Sequence, residues 1–161
     1  MKTIVAIDPG VSGGVAVWHD EGIELYAMPQ TLTELRDLLL ISKFADSQVW
    51  IEEIPKFTGR NIPSSTTAVL FRNVGQCEGL ALALGYALNR VRPVDWQEPL
   101  GLGGRKSVDS QDQWKRKLKN KACELYPHLD VTLKTADALL ILRYALNNRF
   151  YTDAMLERRG K

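Results

Sequence analysis

Sulfur and imidazole are scarce: the 161 residues include two cysteines and two histidines. Cys77 and Cys123 fall within helical patterns at no metal-ligand spacing. That excludes a disulfide framework or a thiolate zinc site, and reads as two reduced core residues of a cytoplasmic protein. Long apolar runs are missing as well. None approaches the roughly 20 residues of a membrane span, and the first is short and carries Asp8, unlike the core of a signal peptide. Internal repeats, linkers and low-complexity tracts are not found. The one glycine-rich stretch, Gly101-Leu102-Gly103-Gly104-Arg105-Lys106-Ser107, lacks the Gly-Lys-Ser/Thr ending and the directly following helix of a phosphate loop.

What is present has an ordinary balance, 45% hydrophobic and 25% charged, as in soluble globular domains. The length suits one domain with a real core, expected over residues 1–150, followed by a basic C-terminal tail over 151–161. The net charge of +2 conceals an asymmetry. Residues 105–121 hold seven Lys/Arg against two Asp, while the other segments hold 14 basic and 17 acidic residues. Concentrated positive charge suggests an anionic partner at one face, although a solvated basic helix would look the same.

The chain opens on Ile4-Val5-Ala6-Ile7-Asp8-Pro9-Gly10, a β-branched apolar strand ending in a carboxylate and broken by Pro-Gly. Gly13-Gly14 lead into a hairpin partner at about 14–18, and a third strand covers 22–28. Thr31-Leu32-Thr33-Glu34 is a capping box for a helix reaching about Phe44, with Leu32, Leu35, Leu38 and Leu39 on one face. Gln48 to Ile54 reads as another buried strand ending in Glu52 and Glu53, which must point to opposite faces. A helix over 65–84 carries Gly75, Gly79 and Ala83 every fourth residue. Such a stripe admits another backbone, either this chain's own sheet, the favoured reading, or a second copy of the helix. A short strand over 89–94 is expected near a sheet edge. Ser110-Gln111-Asp112-Gln113 reads as a second capping box, opening a helix with Trp114, Leu118, Ala122 and Leu125 inward. The last helix, capped by Thr135, runs to about Leu146 with Asp137 in its first turn.

Three carboxylates stand apart in apolar contexts: Asp8, Glu52 (or Glu53) and Asp137. Each has a bland reading alone: a turn aspartate, a strand-end acid, a helix N-terminal charge. Adjacent strands lie about 4.8 Å apart, so two strand-end acids and one from a helix packed across them could converge. Clustered carboxylates repel unless a cation lies between them. Oxygen ligands without His or Cys point to Mg²⁺ or Mn²⁺, ions suited to phosphodiester hydrolysis.

Taken in order, strand-Asp8-Pro9-Gly10, Ile51-Glu52-Glu53-Ile54 and Ala136-Asp137-Ala138-Leu139 resemble the RuvC family of Holliday junction resolvases over nearly the whole chain. The resemblance implies a ribonuclease H-like α/β fold, a mixed sheet of about five strands with the first three antiparallel, flanked by helices. It also implies a cytoplasmic, bacterial or phage-type homodimer using Mg²⁺, with Mn²⁺ as substitute and one or two ions per site, to resolve four-way junctions. The products implied are 5′-phosphate and 3′-hydroxyl ends. Asp8, Glu52 and Asp137 match the metal-binding acids, and Glu52 is preferred because it directly follows the apolar run. Lys115 matches a lysine near the scissile phosphate, and Phe57 an aromatic that engages unpaired bases. Lys56, Arg60, Arg105, Lys106, Arg116 and Lys119 are the further expected DNA contacts, with the Gly75/Gly79/Ala83 helix as dimer interface. One position departs: Lys134 stands where the family usually has a fourth acidic or histidine ligand. Glu53 and Lys134 are therefore given supporting roles just outside the ligand set. A non-catalytic or weakly catalytic branched-DNA-binding protein of the same fold is the alternative. A sugar-kinase or actin-like ATPase begins similarly but needs two such lobes.

Overall fold

The computed structural model describes residues 2–44, 46–55 and 63–159, with the side chains of the last helix described as far as Asn148. Its centre is the first strand, β1 (Lys2–Asp8), buried along Thr3–Ile7. A strand covered on both faces reads as a continuous apolar run rather than an alternating one, which is the pattern of Ile4-Val5-Ala6-Ile7. β1 pairs antiparallel with β2 (Gly14–His19), and β2 with β3 (Gly22–Ala27). On its other side β1 pairs in parallel with β4 (Asp46–Glu52), which pairs in parallel with β5 (Ala87–Val91). The sheet order is β3-β2-β1-β4-β5. The mixed five-stranded sheet with its first three strands antiparallel is the one expected, and the short strand does lie at an edge. It is displaced toward the N-terminus, however, because Pro93 starts a helix rather than extending a strand.

Alternation sorts β1 onto two layers. Val5 and Ile7 join the core formed by α1 (Leu32–Ile41) and α2 (Ser64–Ala83), where Leu35, Leu38, Leu39, Cys77 and Ala81 are buried. Ile4 and Ala6 join the opposite core with α3 (Pro93–Gln97), α4 (Gln111–Leu125) and α5 (Ala136–Arg159).

Several local expectations are met in part. The Thr31/Glu34 capping box is present, but α1 stops at Ile41 and Leu32 is exposed. At Ser42 the hydroxyl donates back to the Leu38 carbonyl (2.7 Å), closing the helix before Phe44. Only half of the Ser110 box forms. Ser110 Oγ accepts from the Gln113 N–H (3.2 Å), while the Gln113 side chain takes the N–H of Asp109 rather than that of Ser110. The Thr135 carbonyl accepts from Leu139 as a cap should, but its hydroxyl turns back to the Thr132 N–H (3.0 Å). Helix α5 continues to Arg159, through most of the segment expected as a tail.

The glycine stripe corrects the favoured reading. Gly75 and Gly79 are exposed, and a Cβ built on either meets nothing within 4 Å. The face of α2 toward the sheet is instead that of Cys77 and Ala81.

Glycine is required where β1 leaves the sheet. A Cβ on Gly13 would stand 2.0 Å from the Asp8 carbonyl oxygen, a clash with backbone that no rotamer relieves. Gly13→Ala is therefore expected to cost about 3 kcal/mol, the upper end of ordinary overpacking, seen as a lowered urea midpoint. An unchanged midpoint would contradict the close approach.

Candidate active site

The parallel register pairs Ile7 with Ile51, so the next residues, Asp8 and Glu52, leave the sheet side by side. Asp8 follows Ile4 and Ala6 in phase, and Glu52 follows Trp50, all toward the α5 layer. Helix α5 packs across β1 and β2, and its first turn supplies Asp137. The three carboxylates line one cavity of about 830 Å³. Lys115, from the first turns of α4, lines it as well, anchored between the buried Trp114 and Leu118.

Burial dominates the electrostatics. It pushes Asp8 up to about 7, with the charge of Asp137 adding and that of Lys115 opposing. It pushes Glu52 up to about 9, assisted by the charges of Asp8 and Asp137 and opposed by Lys115. Asp137 rises to about 6, again through burial and against Lys115. The Glu52 and Asp8 side chains are close enough to interact directly, which raises Glu52 further and moderates the rise of Asp8. Asp137 Oδ1 is buried with no hydrogen-bond partner, an arrangement that costs free energy unless something positive approaches it.

The loop after Asp8 is held by backbone and by one residue that sequence reasoning missed. The Gly10 N–H donates to Asn73 Oδ1 of α2 (2.7 Å), the Gly13 N–H to the Gly10 carbonyl (3.0 Å), and the Met28 N–H to the Gly13 carbonyl (3.0 Å). Asn is a poor interior helix former, but among the Ser, Thr, Arg, Gln and Glu of the same helix Asn73 gives only a weak signal. Ser65, Thr66, Gln97 and Gln111 also line the cavity, and nothing in their local sequence marks them.

The other expected site residues divide. Lys134 lines the cavity. Glu53 is exposed, on the far side of the strand from Glu52, and acts on Arg90 and Arg92 instead. Arg105, Lys106 and Arg116 are exposed and Lys119 is half-buried. Arg105 donates to Gln111 Oε1 (2.8 Å) and to the Val108 carbonyl (3.0 Å). Two cations of the basic segment have structural duties: Lys117 pins the Leu102 carbonyl (2.7 Å), and Lys121 pairs with Glu124 (2.7 Å). Lys56, Phe57 and Arg60 lie outside the described residues.

A cage is not preformed. Among the described residues, no three His, Cys, Asp or Glu side chains are placed to grip one ion as they stand. The donor set nevertheless fits a hard divalent cation: three carboxylates without sulfur or imidazole, and a buried Asp137 oxygen lacking any partner.

Sheet order and helix placement define an α/β protein of the ribonuclease H-like type. No protein-family model matches the sequence, and no curated protein matches it. Solved structures do. Thermus thermophilus RuvC in complex with a Holliday junction substrate superposes with a TM-score of 0.59 at 16% identity, covering 96% of each chain. A second Thermus thermophilus RuvC structure gives 0.56 at 19% identity, covering 94% of this chain and 96% of that one. The chain has the RuvC form of the fold.

Proposed function

We propose that this protein is a divalent-metal-dependent endonuclease that resolves four-way DNA junctions by paired nicks, leaving 5′-phosphate and 3′-hydroxyl ends. The observation that carries the reading is the meeting of Asp8, Glu52 and Asp137 with Lys115 in one cavity on a RuvC-type fold. Magnesium held by the three carboxylates would supply Lewis-acid polarisation of a phosphoryl oxygen and a water nucleophile of lowered pKa. The chain's own groups do the rest. The Gly10–Gly13 turn and Asn73 fix the backbone that carries Asp8. Glu52 gives up its proton as the site loads. Lys115 keeps an ammonium beside the acids, where it draws the phosphodiester toward them. Arg105, Lys106, Arg116 and Lys119 extend positive charge outward for neighbouring phosphates, which makes binding salt-dependent.

Paired cuts call for two sites related by two-fold symmetry, and an isologous dimer supplies them. Supporting this, the outward face of α2 sets Phe71 and Leu82 (41% and 58% exposed) beside Gly75, Gly79 and Ala83. Apolar surface of that kind is commonly covered by a partner. Gly79→Arg is expected to yield monomers in light scattering and to uncouple the two nicks. A dimer of unchanged mass would move the interface elsewhere.

The deciding experiment incubates the protein with a mobile four-way junction and with linear duplex, in Mg²⁺ and in Mn²⁺. Symmetric nicks confined to the junction support the reading; equal cutting of both leaves a general nuclease. A non-catalytic junction-binding protein is the second reading, favoured by the unclosed carboxylates and by Lys134. Thermal stabilisation by Mn²⁺ that vanishes in Asp8→Asn argues for the enzyme.

A further inference from the structure

The cavity gathers three carboxylates and two lysines, Lys115 and Lys134. The lysines are not equivalent. Lys115 is half-buried on α4, where its charge favours the ionised forms of Asp8, Glu52 and Asp137. Lys134 is exposed at the rim, yet its backbone is tightly located: a Cβ on Gly14 would lie 2.5 Å from the Lys134 carbonyl oxygen. A located backbone with a flexible four-carbon stem places an ammonium within reach of the cavity mouth without committing it to the acids.

Charge counting then separates two ways of loading the site. The ionised acids carry three negative charges and Lys115 offsets one, so a single divalent ion neutralises the interior. Lys134 adds one positive charge, which a phosphodiester matches. A second divalent ion would leave the same cavity strongly positive even with DNA bound, and at short range in a poorly solvated site such an excess is costly.

We propose that each active site takes one divalent ion rather than two, and that Lys134 contacts the scissile phosphodiester in the position a second ion would otherwise serve. This rests on the nuclease reading above, and the test separates the two. Metal-stripped full-length protein is titrated with Mn²⁺ at pH 8 by calorimetry and by electron paramagnetic resonance, as wild type, Lys134→Asp and Lys134→Gln, with circular dichroism confirming that each is folded. One ion per chain is expected for wild type and for Lys134→Gln, and two for Lys134→Asp. On the junction, Lys134→Gln is expected to nick about 10²-fold more slowly, the usual loss for one donor to a developing oxyanion, at unchanged stoichiometry. Two ions per wild-type chain would overturn the proposal and leave the nuclease reading intact. No ion in any variant would overturn both. A single ion in Lys134→Asp, or full activity in Lys134→Gln, would remove Lys134 from this role.

Discussion

Asp8→Asn is expected to slow junction nicking by at least about 10²–10³-fold and, in the metal-free protein, to raise the melting temperature. The two effects share one cause. Asp8 sits where burial and the charge of Asp137 both disfavour its ionised form, so an isosteric amide relieves electrostatic strain in the empty site. The same substitution removes an anionic ligand, so added Mn²⁺ should no longer stabilise the protein. A relief of about 1 kcal/mol corresponds to roughly 2–4 °C in a chain of this size, which scanning fluorimetry in chelator detects easily. Opposite signs distinguish a functional carboxylate from a structural one. Lower activity together with lower stability would make Asp8 a fold residue and remove the basis for the metal site.

The second large effect is the pH dependence of the metal-free protein. Carboxyls whose folded pKa is raised stabilise the fold fully below their unfolded values near pH 4, and that contribution is lost as pH rises through the folded values. Here those lie at about 6 for Asp137, about 7 for Asp8 and about 9 for Glu52. Melting temperature in chelator should therefore fall from about pH 5 to about pH 9, most steeply at the acid end, where all three carboxyls contribute, and more gently above about pH 7, where only Glu52 does. Glu34 and Asp95 have lowered values, so their contributions are lost only on acidification and do not oppose the trend in this window. Saturating Mg²⁺ should flatten the slope, because an ion that replaces protons binds better as they leave. The stabilisation by Mg²⁺ would then grow across the same range. A metal-free melting curve that is flat or rises with pH would mean that the three carboxyls are ordinary surface acids.

Asn73, Lys117 and Thr135 illustrate what local pattern cannot supply. Each is a polar residue on or beside a helix, and each finds its partner through chain geometry. Asn73 bonds a loop 63 positions away, Lys117 holds a glycine-rich segment 15 positions away, and Thr135 turns back on Thr132. The glycine stripe of α2 is the same lesson on a larger scale. Small residues at every fourth position announce that a helix face is unusual, but not whether it meets the sheet or solvent. That depended on which face docks on the sheet, and the one that does is the face of Cys77 and Ala81.

By itself the sequence determined the order of the five strands and the longer helices, though not the short helix Pro93–Gln97, and which acids are out of place in apolar surroundings. These are properties of neighbouring residues: apolar runs, breakers, caps and the two-residue alternation that sets Glu52 and Glu53 on opposite faces. Tertiary structure alone decided that β1 lies beside β4 in the register that aligns Asp8 with Glu52, and that α5 brings Asp137 over both. It also decided that Lys115 is half-buried beside those carboxyls, while Lys134 stands exposed at the rim of the same cavity. Register and helix docking arise from contacts between segments far apart in the chain, where burial and Coulomb interaction act through space.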